Sequence, residues 1–541
     1  MEQENSLFHQ TGLSIRMKSL VFILAVLIGV VIASRHSTRG LASSRVTFSN
    51  PRTATNVRGG CPRRPKIPNT ITALSTTVIE RLTARLQETI RPCNGTSATS
   101  TATALSFSVV LGNVSTEFIN LGCTESGTAN APTAHTIYRL ASVSKTFSVK
   151  AALDAVETGL IRSLDDEVRQ YVPDFYLENV FTNEQPTWRQ LMSQQAGLPR
   201  DSPCDPLNCS VTTDDVLRRL ARQRLLFPPY ERASYSNVAF SVLGHVIAER
   251  LRNQTFETLL SGITEVLKMD STGVDLTPAV LQRMPAYYTR YDIPVPVFSL
   301  HWDNPAGGIY STTRDLARWL RHFLGRWQRS ALYKQNMQPL FVEGSGNTAW
   351  GAPWEIEMSH PAGYMVRTKG GYIPGVSTII AMVPELDLGF TVLWNGEGMD
   401  TMRVAMDLFN AVLHDVVVDQ FEATDASEFP PAGPGFADKF LGLYGVPAAL
   451  DLIHANVTKD AAGIVHLSAP GFGSFLLRPS GLAKDGDLVF QVFLHTSHYD
   501  ACVEEGFAAY VGEWVTFSLS TATGVPQFRI PGYFDETFVH V

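Results

Sequence analysis

The sequence predicts a mixed α/β (α+β) domain followed by a small all-β domain, and three observations predict it. Amphipathic helical stretches alternate with strand-like runs between residues 61 and 420. The segment Ser427–Gly435 (SEFPPAGPG) then brings three prolines and two glycines, which cannot continue a helix or a central strand and so read as a linker. Beyond it, Gly463–Ala469, Ser474–Leu477, Asp487–Phe493, Trp514–Leu519 and Gln527–Ile530 are short strand-like runs separated by turns, the pattern of a β-sandwich or barrel. A length of 541 residues exceeds what one core usually organises, which fits a large domain with a smaller one.

From the N-terminus, the apolar run Leu20–Ala33 follows Arg16 and Lys18, so residues 1–34 read as a signal peptide or a short signal anchor. Arg35, Arg39 and Arg45 come after the run and weaken the charge asymmetry, leaving release and membrane tethering both open. Residues 35–60 are rich in Ser, Thr, Arg and Asn without apolar periodicity, the composition of a disordered stem. The larger domain spans 61–420, the linker 421–435 and the C-terminal β domain 436–541.

Within the larger domain, Leu105–Val110 and Glu117–Leu121 read as two paired strands, and Ile137–Leu140 leads into the next element. Lys145–Gly159 is a helix, with Phe147, Ala151, Ala152, Ala155 and Val156 at helical spacing and Gly159 as its stop. Further helices are read over Thr213–Arg224, Asn237–Arg252 and Thr312–Leu324, the last with Ser311 or Thr312 as N-cap and Asp315 in its first turn. Tyr364–Thr368 is a strand that ends at Lys369-Gly370-Gly371. Ser377–Val383 and Leu388–Leu393 form an antiparallel hairpin across Pro384–Asp387.

The net charge of -7 and the absence of a dense Lys/Arg cluster argue against a nucleic-acid partner. Five Asn-x-Ser/Thr sequons, at Asn94, Asn113, Asn208, Asn253 and Asn456, lie downstream of the apolar run and are candidate glycosylation sites in a secretory setting. Six cysteines (Cys61, Cys93, Cys123, Cys204, Cys209, Cys502) form an even set compatible with disulfides, with connectivity open and free buried thiols the plainer alternative. None lies in a CxxC metal or redox pattern.

The chemistry-bearing residues begin with Ser142-Val143-Ser144-Lys145. A serine at a helix start and a lysine one turn later share a helical face, so their side chains meet. A desolvated lysine beside other cations has a lowered pKa and serves as proton acceptor for the hydroxyl, while the helix N-terminus favours a developing oxyanion. Taken alone the spacing is cheap, since about one such match is expected by chance in a chain this long. Its place between a strand and an amphipathic helix gives it weight.

Tyr235-Ser236-Asn237 precedes the second of those later helices. Tyr235 is a candidate proton relay, and the Asn237 amide a candidate to orient a substrate carbonyl or Lys145; a buried tyrosine and a capping asparagine are the plainer reading. In Lys369-Gly370-Gly371 the glycines let a substrate approach a strand edge and Lys369 supplies charge, although a β-turn explains the run equally well. The backbone N–H groups of Ser142 and Tyr372 are then candidates for an oxyanion hole.

Together Ser-x-x-Lys, Tyr-x-Asn and Lys-x-Gly, in that order, resemble the serine β-lactamase and penicillin-binding-protein superfamily, in its class C β-lactamase-like branch. Leu140–Phe147, Leu164–Val168, Leu191–Leu198, Asn304–Thr312 and Gly371–Gly375 resemble recurring stretches of that branch, so the likeness runs from Ile67 to Val418. It implies a transpeptidase-like fold, with a helical subdomain packed on an antiparallel sheet and the active site between them. It also implies an acyl-enzyme on Ser142, proton exchange between Lys145 and Tyr235, and a substrate and electrostatic role for Asn237, Lys369 and Gly371. The amides of Ser142 and Tyr372 would hold the oxyanion, and no metal or organic cofactor is implied. The substrate would be a small-molecule or peptide ester or amide. Transfer of the acyl group to an alcohol or amine would use the same residues, and a silent binding protein of the same fold is the third reading. Two departures stand out. Gln194 and Ala196 replace the His and Ser common before the Gly-Leu pair, a change expected to touch packing. Gly370 replaces the hydroxyl residue of Lys-Thr-Gly and so removes a donor near a substrate carboxylate. This second change points away from β-lactam hydrolysis and toward esterase-like chemistry. The C-terminal part resembles the β domain of secreted fungal-type β-lactamase-like proteins.

Overall fold

A computed structural model describes residues 74–93 (apart from 75 and 91), 103–201, 211–288, 293–358, 365–396, 438–447, 454–469 (apart from 462), 473–479, 488–494, 514–530 and 534–541. The apolar run 20–33, the stem, the linker, Asn94, Asn208, Cys61, Cys204, Cys209 and Cys502 lie outside the described residues. Among the described residues no helix is long and apolar enough to cross a membrane.

The larger domain is built on one antiparallel sheet. Its strands are β1 (Ala104–Leu111), β2 (Ser115–Gly122), β3 (Phe341–Val342), β4 (Thr348–Trp350), β5 (Glu355–Glu357), β6 (Val366–Ile373), β7 (Val376–Val383) and β8 (Leu388–Asn395), in the order β2-β1-β8-β7-β6-β5-β4-β3. The two predicted pairs are both present: β1 pairs β2 with Leu105 opposite Leu121, and β7 pairs β8 with Val383 opposite Leu388. β1, β7 and β8 are buried along their whole length, because both faces of the sheet are covered.

One face meets helix α1 (Thr76–Gln87), whose Val78, Leu82 and Leu86 recur every four residues and pack with Leu105, Phe107, Val109, Phe390 and Trp394. The Cys93–Cys123 disulfide ties the chain after α1 to the residue that follows β2. The other face turns Val110, Ile380, Met382 and Leu393 toward a helical layer. That layer holds α2 (Lys145–Glu157), α3 (Thr213–Leu220), α4 (Asn237–His245), α5 (Phe256–Val266) and α6 (Thr313–Arg329). α6 is capped by Thr312, whose side chain accepts from Asp315 N–H. Phe147 of α2 stacks on Trp319 of α6 with ring centroids 3.9 Å apart, and Trp319 Nε1–H donates to Thr146 Oγ1 at 3.1 Å, so α2 is clamped at its start. The helix read over Asn237–Arg252 is present, and it changes from α to π geometry over Val246–Leu251.

One expectation is corrected here. The strand read as ending before Lys369 continues through Lys369-Gly370-Gly371 to Ile373, paired with β7 throughout. Ladder hydrogen bonds need only backbone groups, so paired neighbours override the turn tendency of two glycines.

The C-terminal region is a closed antiparallel barrel of eight strands: β9 (Gly442–Gly445), β10 (His454–Lys459), β11 (Val465–Ala469), β12 (Gly473–Pro479), β13 (Leu488–Leu494), β14 (Trp514–Leu519), β15 (Pro526–Ile530) and β16 (Phe534–His540). Tyr444, Phe490, Phe517, Phe528 and Phe538 fill its core. Five strands match the runs read from sequence; β9, β10 and β16 were not among them.

Candidate active site

Ser142 lies on a single 3-10 turn, Ala141–Ser144, that runs directly into α2. Three hydrogen bonds fix this turn. Leu140 N–H donates to Ile309 O at 2.8 Å, Thr378 Oγ1 donates to Leu140 O at 2.8 Å, and Ile309 N–H donates to Ser144 Oγ at 3.1 Å. They hold Ala141 at a φ of 47°, in the left-handed region that costs a residue other than glycine about 1 kcal/mol. Residues 141–150 are buried except Ser142, whose side chain is half-buried.

β6 passes very close to this turn. A Cβ on Gly371 would stand 2.3 Å from Leu140 O and 2.9 Å from Ser142 N, so only glycine allows the strand to pack there. A Cβ on Gly370 would meet nothing nearer than Glu355 Oε2 at 3.7 Å.

Lys145 Nζ donates to three oxygens: Ser142 Oγ at 2.9 Å, Asn237 Oδ1 at 2.7 Å and Ala306 O at 2.8 Å. All three acceptors are uncharged. Burial is the strongest influence on Lys145 and pushes its pKa below the usual lysine value; Tyr235 opposes this and the Lys369 ammonium reinforces it. In the neutral amine, Asn237 Oδ1 and Ala306 O keep two N–H groups and the lone pair faces Ser142 Oγ. That is the arrangement of a proton acceptor.

Tyr235 OH donates to Ser142 Oγ at 2.5 Å, and its ring centroid lies 4.9 Å from Lys145 Nζ and 5.4 Å from Lys369 Nζ. Burial alone would raise the phenol, but the Lys369 and Lys145 charges together with the Ser142 bond outweigh it and bring the pKa down to about 8. The loop carrying Tyr235 is held by Gln194: Ser236 N–H donates to Gln194 Oε1 at 2.7 Å and Ser234 N–H to Gln194 O at 2.8 Å. Gln194 therefore does more than fill space, since it places the phenol.

Ser236 is the cap of α4, accepting from Ala239 N–H at 3.1 Å. This frees the Asn237 amide, which accepts from Lys145 on one side and donates to Asp201 Oδ1 at 2.7 Å on the other. Asn237 thus bridges Lys145 and Asp201.

On the sheet side, Lys369 is buried and donates to Glu355 Oε1 at 2.6 Å and to Gly370 O at 2.8 Å. Burial opposes its charge, but Glu355 and Tyr235 outweigh burial and hold its pKa above the usual lysine value. β5 pairs with β6 only at Val366, Arg367 and Thr368, so the ladder between these two strands on this edge of β6 ends before Lys369. Gly370 N–H points to that edge and donates to Glu355 Oε2 at 3.2 Å. By the two-residue alternation of a strand, Tyr372 N–H falls on the same edge, beyond Gly370.

The structure thus brings Ser142, Lys145, Tyr235, Asn237, Lys369, Gly371 and Tyr372 to one place. It adds Glu355, Asp201 and the Ala306 carbonyl, which sequence reasoning did not single out, and gives Gln194, read there as a packing change, hydrogen bonds to the Tyr235 loop. Ala306 lies within the stretch Asn304–Thr312 already noted, but its carbonyl role has no side-chain signal. Of the sequons, Asn113, Asn253 and Asn456 are exposed. Among the described residues no group of three or more His, Cys, Asp or Glu is placed to hold a metal ion.

Comparison with known proteins gives a consistent picture. The family model described as Beta-lactamase matches residues 94–414. A human protein named Putative beta-lactamase-like 1 is 31% identical over 431 residues, covering 75% of this chain and 83% of the relative. Beta-lactamase-like protein 2 of Dictyostelium discoideum is 30% identical over 262 residues, covering 46% of this chain and 48% of the relative, so the chain spans about half of that protein. Among solved structures, a class C beta lactamase from Rhodobacter sphaeroides superposes with a TM-score of 0.52 at 22% identity, covering 63% of this chain and 100% of that one, a likeness of fold.

Proposed function

Since the chain belongs to the beta-lactamase family, we propose that it is a serine hydrolase of ester or amide bonds working through an acyl-enzyme on Ser142. One observation carries the reading. Ser142 Oγ is held between Tyr235 OH at 2.5 Å and Lys145 Nζ at 2.9 Å, while the other bonds of Lys145 go to uncharged oxygens.

In this reaction Ser142 Oγ attacks the substrate carbonyl carbon as its proton passes to Lys145, which shares it with Tyr235. The oxyanion is received by the backbone N–H groups of Ser142 and Tyr372. The leaving alcohol or amine departs with the proton, delivered through Tyr235. Water then attacks the acyl-enzyme with the same groups as base, releasing the acid and restoring Ser142. Asn237 orients Lys145, and Lys369 supplies the positive potential that keeps Tyr235 low. The substrate is a small-molecule or peptide ester or amide.

Incubation of the purified protein with an activated ester, with and without an added alcohol, tests the proposal. Free acid is expected as the main product in both. Acyl-alcohol dominating over free acid would assign transfer instead, and turnover that persists in Ser142→Ala would remove the acyl-enzyme altogether.

We also infer that the chain enters the secretory path, released or tethered through residues 20–33. The Cys93–Cys123 pair and the exposed sequons at Asn113, Asn253 and Asn456 support it.

A further inference from the structure

Besides Lys145, two cations approach Tyr235, and each has its own carboxylate. Lys369 Nζ lies 2.6 Å from Glu355 Oε1, and Arg200, over the Tyr235 ring at 5.1 Å, lies 3.9 Å from Asp201. In the mechanism proposed above Lys145 and Tyr235 share one proton, so they contribute no net charge in either of its positions. The groups named here therefore sum to zero.

A cation that is to hold a substrate carboxylate needs donors left over for it. Lys369 uses two of its three N–H groups on Glu355 Oε1 and Gly370 O, and it also hydrogen-bonds Tyr235. The strand-edge N–H next to it, that of Gly370, is taken by Glu355 Oε2 at 3.2 Å. Position 370 itself, being glycine, offers no hydroxyl. Glu355 is also anchored, since its backbone pairs with Thr368 and its carbonyl accepts from Thr368 Oγ1 at 2.7 Å. Its carboxylate thus stands where the β5–β6 ladder ends, on the donors that an anionic substrate group would need.

We propose that Glu355 is a specificity-determining residue that makes the site select neutral esters or amides and exclude substrates with a carboxylate beside the scissile bond. The proposal rests on the acyl-enzyme reading above and names its substrate class.

The test compares phenyl phenylacetate with its 3-carboxyphenyl counterpart as substrates of the full chain. Wild type is expected to favour the neutral ester by at least about tenfold in kcat/KM, equivalent to about 1.4 kcal/mol. Glu355→Gln, which keeps the shape and an acceptor oxygen but removes the charge, is expected to narrow that preference by at least about tenfold. Glu355→Asp, which keeps the charge, should retain it. A fluorophosphonate label on Ser142 is followed in every variant. Equal preference in wild type and Glu355→Gln with Ser142 still labelled would overturn the role of Glu355 and leave the acyl-enzyme standing, as would a wild-type preference for the carboxylate ester. Loss of both labelling and hydrolysis in wild type would overturn the acyl-enzyme reading, and this proposal with it.

Discussion

Two buried lysines approach the Tyr235 ring from different layers of the molecule, Lys145 from α2 and Lys369 from β6. Lys145 donates to the uncharged oxygens of Ser142, Asn237 and Ala306, and burial outweighs the opposing influence of Tyr235, so its proton is held loosely. Lys369 meets the Glu355 carboxylate, so its proton is held tightly despite the same burial. The difference shows that burial alone does not decide what a lysine does; the charge of its nearest acceptor does. In the proposed mechanism the helical layer thereby supplies a proton acceptor and the sheet a fixed charge.

Separate substitutions break this comparison. Lys145→Met is expected to lower kcat/KM by about 10³-fold, as removal of a general base does, while changing stability by no more than about 1 kcal/mol, because only neutral groups lose a partner. Lys369→Met should do the reverse in kind. It leaves the Glu355 carboxylate without a counter-charge and should cost about 2 kcal/mol in stability, below the range for a fully buried pair because Glu355 is 20% exposed. Steady-state kinetics and thermal unfolding on the two proteins check both expectations, and equal losses of stability would undo the distinction.

The two adjacent glycines of β6 give a second, smaller contrast. Gly371→Ala forces a methyl against Leu140 O and Ser142 N and should cost about 2 kcal/mol together with most of the activity, whereas Gly370→Ala meets only ordinary contact and should stay within about 0.5 kcal/mol. Denaturant unfolding of both proteins reads this directly.

The finest effect is on pH dependence. In the proposed mechanism the Lys145–Tyr235 pair must have lost one proton, so kcat/KM should rise with pH through an acid limb that belongs to the pair. The Glu355 charge raises the pKa of both Lys145 and Tyr235. Removing it in Glu355→Gln lets both fall, so the acid limb should move to lower pH. Lys369→Met removes the largest influence lowering Tyr235 and should move the limb to higher pH. A pH profile of kcat/KM in which both variants move the limb the same way would contradict the assignment.

Much of the site's assembly is legible in the sequence where a residue type marks its own place. Ser142, Lys145, Tyr235, Asn237 and Lys369 were marked by their order and by their place between strands and helices. The β7–β8 hairpin and α2 followed from apolar spacing. What escaped was set by tertiary contact. Glu355 lies on a three-residue strand, and nothing in its neighbourhood announces that its carboxylate meets Lys369, fourteen positions away along the chain. Gln194 was read as packing because its hydrogen bonds to the Tyr235 loop run to backbone N–H groups, which leave no mark in sequence. Helix α1 was overlooked although Val78, Leu82 and Leu86 carry a four-residue period, a signal weakened by the polar residues between them. In the barrel, β10 reads HANVTK and buries only alternate positions such as Ala455 and Val457, so its pattern is thin without its neighbours.

The central claim is that Ser142 is a nucleophile activated by neutral Lys145. Peptide mapping by mass spectrometry after brief exposure to a fluorophosphonate near neutral pH tests it most directly. The account predicts a single label on Ser142 in wild type, none in Ser142→Ala, and labelling slowed by at least about 100-fold in Lys145→Met. Labelling of Ser142 at the wild-type rate in Lys145→Met, or at another residue instead, would contradict it.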